Sequence, residues 1–391
     1  MSTNQAATST ALPEKSLWTR LNTKFDIRAY TMIIALLAIW ITFTSLTEGR
    51  FLIPRNLSNL SRQMSITAVL AIGMVMVIVA THIDLSVGSV LGLTGGVAAV
   101  LQVWYHVPTP ITILVTLALG ALIGLWHGFW VAYQKVPAFI VSLAGYMAYR
   151  GILLGAIKGL TVAPMFPDFK IISSGYLSLI PGIVITVLAL MALIYGRVRS
   201  RMSKRKYGFK TTPLILEILV TLFYCGLIVA GVYILYQYEG IPYPIILVLA
   251  LTLIFTFITK NTKFGRQVYA MGGNIDAARL SGINVRRRTL VVFVLASLLA
   301  SIAGILTTAR LNAATTTAGS GAELDAIASC VIGGTSLLGG IGSIPGAILG
   351  ALVMASLDNG MSMMNAEAFW QYIVKGFVLL LAVWMDIKTK K

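Results

Sequence analysis

The chain has 391 residues, 57% of them hydrophobic and 11% charged, with a mean hydropathy of +0.86. That composition excludes an ordinary soluble globular protein, in which about 25% of residues are charged. The formal net charge of +17 would suit a nucleic-acid binder were it spread over a surface, but it is gathered into short segments between apolar runs, so no nucleic-acid partner is expected.

Residues 1–28 form a polar tail, expected to be disordered over 1–16, with Lys15, Arg20, Lys24 and Arg28 ahead of the first apolar run. No small-residue cleavage site follows before residue 48, so that run is expected to stay as an anchor. Apolar cores then lie at 29–47, 66–81, 111–131, 183–195, 214–235, 245–258, 290–308, 344–355 and 374–384, with weaker ones at 87–104, 139–156 and 324–338. A membrane-crossing helix needs about 20 residues. The pattern predicts an all-α polytopic membrane protein of about twelve transmembrane helices, one domain over 29–386. Lys and Arg gather in the N-terminal tail, at 197–210, at 260–288 and in a C-terminal tail at 387–391. Such residues favour the cytoplasmic side, which places all four segments and both termini there. An even number of spans satisfies this, so 324–338 is read as a crossing rather than a re-entrant loop.

Residues 48–63 follow the first span. Leu57, Leu60 and Met64 recur at helical spacing, which fits either a short amphipathic helix on the external face or a simple loop. Glycines at every fourth position form three ladders: Gly88, Gly92, Gly96; Gly120, Gly124, Gly128; and Gly342, Gly346, Gly350. Such ladders let neighbouring helices approach closely. Two are preceded by helix-breaking stretches, residues 81–86 and 333–336, and broken helices in transporters point to a binding region or gate. Asp84, Ser86, Thr335, Ser336, Asp358 and Asn359 are therefore candidates for a translocation path or gate.

Ionisable groups at membrane depth cost roughly 2.5–3.5 kcal/mol on insertion scales. Asp84, Glu323, Asp325 and Asp358 qualify, with Glu217 a weaker case. Asp84 is expected to cap a helix with help from Ser86; Glu323 and Asp325 are expected to cap and complement the dipole of the helix they open. His82, His106 and His127 lack partners at metal-ligand spacing, and neither a metal nor a cofactor is expected. His127, between Trp126 and Trp130, is read as part of an interfacial aromatic anchor. Cys225 and Cys330 are read as buried small hydrophobes. No Gly-x4-Gly-Lys-Ser/Thr loop occurs, so the chain is not expected to hydrolyse ATP and is not read as an enzyme.

The loop at 260–288 carries Asp276-Ala277-Ala278 and, after three spacers, Gly282. Its two alanines would let a short helix sit close to a partner, and Gly282 would permit the turn that ends it. With Ile83-Asp84-Leu85-Ser86-Val87-Gly88-Ser89, Arg279-Leu280-Ser281-Gly282-Ile283-Asn284-Val285, Glu323-Leu324-Asp325-Ala326-Ile327-Ala328, Val331-Ile332-Gly333-Gly334-Thr335-Ser336-Leu337 and Asp358-Asn359-Gly360-Met361, the chain resembles, over nearly its full length, the permeases of bacterial ribose/xylose-type ABC sugar importers. The resemblance implies a homodimer in the inner membrane that works with a cytoplasmic ABC ATPase and a periplasmic sugar-binding protein. It also implies that Asp276, Ala277, Ala278 and Gly282 couple the permease to the ATPase. The chain departs from the ten-span ribose-type pattern by a two-helix insertion at about 181–238. That insertion, with Phe369-Trp370-Gln371-Tyr372-Ile373-Val374-Lys375-Gly376, resembles the xylose branch and implies D-xylose as cargo. Another sugar, an autoinducer or another small solute remains an alternative, as does a proton-coupled sugar symporter that uses Asp84 or Asp358. The basic 197–210 loop is read as an orienting device at the membrane lipid surface.

Overall fold

The computed structural model describes residues 27–209 and 212–388. The expected disordered tail, with Lys15, Arg20 and Lys24, lies outside the described residues, as do Lys210, Lys390 and Lys391. Among the described residues nine helices are long and apolar enough to cross a membrane. They are α2 (Pro54–Val79), α3 (Val87–Ala99, extended by a wider turn to Trp104), α4 (Thr109–Ala132), α5 (Ala138–Ala156), α7 (Leu179–Lys206), α8 (Leu214–Tyr236), α9 (Tyr243–Asn261), α12 (Val285–Leu311) and α14 (Ile344–Met363). The helices α1 (Ile27–Leu46) and α15 (Ala368–Lys388) hold the shorter apolar stretches Met32–Leu46 and Ala368–Trp384. Short helices α6 (Pro167–Ser174), α10 (Lys263–Gly273) and α11 (Ile275–Leu280) lie between spans. Proline in the first turn of α2, α4, α6, α9 and α14 sits where its missing N–H costs nothing and its φ is already helical.

The polytopic helical fold is as the sequence predicts, but the span expected at 324–338 is not a full helix. It forms α13 (Ala322–Ile332), 11 residues or about 16 Å at 1.5 Å per residue, half of what a bilayer core requires. Gly333 is its C-cap, at a place where a Cβ would run into the backbone of Gly346 on α14, and Gly334 leaves the helix at φ +87°. The chain continues without helix to Ser343, and on the way the Gly340 N–H donates to the Val79 carbonyl at the end of α2, 3.0 Å away. The segment is a half-helix followed by irregular backbone, so twelve full helices are not present among the described residues. Residues 48–63 are neither of the two forms expected. After a single turn at Arg50–Leu52, Pro54 opens α2, and the segment is the first turns of that long helix.

The core is organised around α12, with α2, α3 and α4 packed on it. The second glycine ladder makes the α4 contact: a Cβ on Gly124 would stand 2.5 Å from the Val294 Cα, and one on Gly128 2.8 Å from the Leu290 Cα. The hairpin α7–α8 stands apart, with only Gly182 buried on α7 and nothing on α8. A two-residue antiparallel pair closes its base, β1 (Tyr176–Leu177) against β2 (Ile241–Pro242). The end of the bundle that carries Lys260, Lys263, Arg266, Arg279 and Arg286 to Arg288 is called the basic end below. The C-terminus of α7 reaches the same end.

Candidate functional site

At the basic end, local capping shapes the 260–288 loop. The Thr262 hydroxyl accepts from the Gly265 N–H (3.2 Å) to start α10, and the Asn274 side chain accepts from the N–H groups of Asp276 (3.0 Å) and Ala277 (2.9 Å) to start α11. Each cap fills an otherwise orphaned donor. Gly282 ends α11 at φ +79° with its N–H donating to the Arg279 carbonyl (3.0 Å), and the Ile283 N–H donates to that of Ala278 (3.1 Å). Asp276 is exposed and pairs with Arg279 at 3.5 Å. Of the two alanines expected to meet a partner, only Ala277 is exposed; Ala278 is buried against its own chain. On a helix, adjacent residues are turned about 100° from each other, so one small side chain seats the helix and the other faces out. The residue that sequence reasoning missed is Leu280, 91% exposed at the tip of α11.

The end of α10 abuts the break in the α13 span. A Cβ on Gly272 would strike the Val79 carbonyl and the Gly340 N–H, and one on Gly339 would strike the Thr81 methyl. The Tyr269 hydroxyl donates to the Gly342 carbonyl at 2.9 Å. The two helix-breaking stretches, residues 81–86 and 333–343, therefore meet at one place, directly beneath α10. Thr335 and Ser336 are both buried there. The Ser336 N–H donates to the Ile341 carbonyl (2.9 Å) and its hydroxyl accepts from the Leu338 N–H (3.2 Å), so it shapes the turn. The Thr335 hydroxyl is buried without a hydrogen-bond partner. Beside this junction a cavity of about 840 Å³ runs between Thr81–Ile83, the α4–α5 turn at Lys135, and the α11–α12 connection at Arg279 and Arg286.

Asp84 is fully buried. Its Oδ1 accepts from the Ser86 N–H (2.9 Å) and the Ser86 hydroxyl (2.6 Å), and its Oδ2 lies 4.0 Å from Nδ1 of His127; α3 opens at Val87 with no side-chain cap, so Asp84 fixes the turn ahead of the helix instead of capping it as expected. Nε2 of His127 lies 2.9 Å from the Tyr149 hydroxyl. His127 is therefore not part of an aromatic anchor. It is fully buried on α4, whereas its neighbour Trp126 is exposed. The helical turn between the two positions separates a core face from an outer one. The result is a buried polar chain, Ser86–Asp84–His127–Tyr149, that ties the first break to α4 and α5.

At the opposite end, Lys375 of α15 bridges two acids. Its Nζ lies 3.0 Å from Oδ2 of Asp325 on α13 and 3.2 Å and 3.3 Å from the two oxygens of Asp358 on α14. Glu323 and Asp325 lie in the first turn of α13, where acids complement the helix dipole as expected, but the helix opens on Gly321 at φ +77° with no side-chain cap, and Asp325 reaches across to Lys375 of α15. Asn359 does not join Asp358. It exchanges hydrogen bonds of 2.9 and 3.1 Å with Asn56, whose amide also donates to the Phe51 carbonyl. Asn359 thereby pins the start of α2 to α14. The candidate residues thus fall into separate places rather than one path: the α11 turn, the joined breaks, the Asp84 chain and the Lys375 bridge. Among the described residues no three His, Cys, Asp or Glu side chains converge as a metal site would require.

Residues 56–383 match the family model described as branched-chain amino acid transport system / permease component. The xylose transport system permease protein XylH of Haemophilus influenzae is 48% identical over 94% of this chain and 98% of that protein, and XylH of Escherichia coli (strain K12) is 51% identical over 94% and 93%. The ribose import permease protein RbsC of Escherichia coli (strain K12) is 36% identical over 95% of this chain and 97% of that protein. No solved structure matches the chain.

Proposed function

This chain belongs to the branched-chain amino acid transport system / permease component family, and from that premise we propose that it is the membrane-spanning permease of an ATP-driven importer that carries D-xylose into the cell. The observation that carries the reading is the α11 turn. It presents Leu280 and Ala277 outward, while α10, one residue upstream, is wedged against the joined breaks at Val79, Thr81 and Gly340. A partner that moves α11 would thereby displace the points at which two membrane segments lose their helical hydrogen bonds, which is how a small cytoplasmic shift becomes a gate motion. Asp276, Ala277, Leu280 and Gly282 form the surface for a separate ATPase, and Ala278 seats that surface. Thr335, Ser336 and the Asp84–Ser86 pair hold the gate.

The basic end faces the cytoplasm in this reading, with both termini there, in agreement with the charge rule. The opposite end, where the bridge between Val162 and Ala314 and the Arg150 hydrogen bonds to the Thr316 and Ala318 carbonyls stiffen the connecting loops, receives a periplasmic sugar-binding protein. A second copy of the permease completes the path. The chain itself performs no hydrolysis, and the pentose in the names of its XylH relatives supplies the cargo.

The test is labelled D-xylose uptake into proteoliposomes that hold the chain with its ATPase and binding protein. Uptake that requires all three components and survives a protonophore supports the proposal. Uptake by the chain alone, abolished by a protonophore, replaces it with a symporter. Gly282→Asp is expected to abolish sugar-stimulated ATPase activity in that system while the protein still inserts. A Cβ at residue 282 meets open space but a disfavoured φ, so the damage is confined to the turn. Undiminished stimulation in that variant removes the role given to α11.

A further inference from the structure

At the end opposite α11, a cavity of about 360 Å³ opens among α2, α12, α13, α14 and α15. Its wall carries Asp325, Asp358, Lys375 and Arg310, with Gln63, Thr67, Ser320, Gln371 and Tyr372 around them. We infer that this cavity is a binding site for a neutral polyhydroxylated ligand, a resting place for the pentose within each permease subunit; the inference rests on the importer reading given above.

The size falls in the range of small-molecule sites, about 300–1,000 Å³. The charges choose the class. Two carboxylates face two bases, so the wall is formally neutral, and an anion would meet both acids while a cation would meet both bases. A sugar hydroxyl donates and accepts at once. Asp325 and Asp358 can take hydrogen bonds from adjacent hydroxyls while Lys375 and Arg310 give them. The wall also holds unused capacity. Among the described residues the Gln63 amide oxygen is buried without a hydrogen-bond partner, a costly condition that a bound polar ligand relieves, and half-buried Arg310 forms no ion pair there. Exposed Tyr372 at the rim offers an aromatic face of the kind that stacks on a sugar ring.

The test uses Ser320→Cys, at the exposed mouth, in a Cys225→Ser background; Cys330 is fully buried. The permease is assembled with its ATPase in nanodiscs, and the rate of reaction with a charged maleimide is followed. At ten times its dissociation constant a ligand leaves about one site in eleven free, so D-xylose is expected to slow labelling about tenfold. D-xylonate, which carries a carboxylate, is expected to leave the rate unchanged, as is D-xylose for Lys135→Cys at the other end. Uptake of D-xylose by the unsubstituted complex is measured in parallel. A labelling rate indifferent to D-xylose, in a complex that transports it, overturns the site and leaves the importer reading standing. Equal protection by xylonate overturns the choice of a neutral ligand. Equal slowing at Lys135→Cys overturns the site in favour of a global rearrangement. Absence of both protection and uptake overturns the importer reading itself.

Discussion

The α4–α12 seam and the α7–α8 hairpin are both built of apolar helices, and they use that character in opposite ways. Along α4 the glycines stand against the backbone of α12, so closely that a single added methyl at residue 124 or 128 has no room. Along α8, Gly226 and Gly231 have nothing within 4 Å, and Ile215, Leu219, Leu222 and Phe223 are all exposed. The hairpin is nevertheless about as apolar as the seam. In a membrane, apolarity alone drives no helix against another, because lipid is as good a neighbour as leucine; small residues and polar contacts decide which helices pack. Hydropathy finds the spans, and glycine spacing finds the core.

The strongest way to break this contrast is Gly124→Val. Overpacking commonly costs about 1–3 kcal/mol and occasionally more, and here the obstacle is backbone that cannot rotate away, so loss of monodisperse protein by size-exclusion chromatography is expected. Next is His127→Ala, which strips the ring from beside the buried Asp84 carboxylate. Leaving buried polar groups without a partner costs about 1–3 kcal/mol, read as a fall in melting temperature in detergent, with partial recovery in His127→Gln. The hairpin gives the reverse case. With β1 and β2 joining its ends, replacing 179–239 by a short turn is expected to change the melting temperature of the remaining bundle little, by about 1 kcal/mol or less in stability, since almost none of its surface is buried in the chain. The smallest effect is expected for Gly226→Val, within about 0.5 kcal/mol of the parent. A collapse in either hairpin variant would mean that α8 packs on something other than lipid.

Much of the architecture was legible because membrane helices advertise themselves by length and charge. The 260–288 loop was legible for a different reason: Gly282 is a turn residue whose action is local, as is that of Thr262 and Asn274, whose caps the structure adds. Long-range pairings were not legible. Asp84 and His127 are 43 residues apart, and nothing in either neighbourhood announces the other. Lys375 reads as a charge near the end of a span until Asp325 and Asp358 are seen around it. Ala278 was assigned outward because an alanine pair gives no sign of which member seats the helix. The 324–338 segment misled in a further way. Its apolar residues continue past Ile332, but Gly333 lies against the backbone of α14, an approach set by a neighbour, and Gly334 leaves the helix at φ +87°.

The contact between α10 and the joined breaks carries an obligation in both directions. If nucleotide bound to an ATPase seated on α11 shifts the balance between two arrangements of Val79, Thr81 and Gly340, then a ligand that favours one arrangement from the membrane side must alter the affinity for nucleotide by the same factor as nucleotide alters the affinity for that ligand. A permease held in one arrangement, for example by a crosslink across Thr81 and Gly339, should therefore be readable without any transport at all, as a displaced nucleotide-binding curve of its partner.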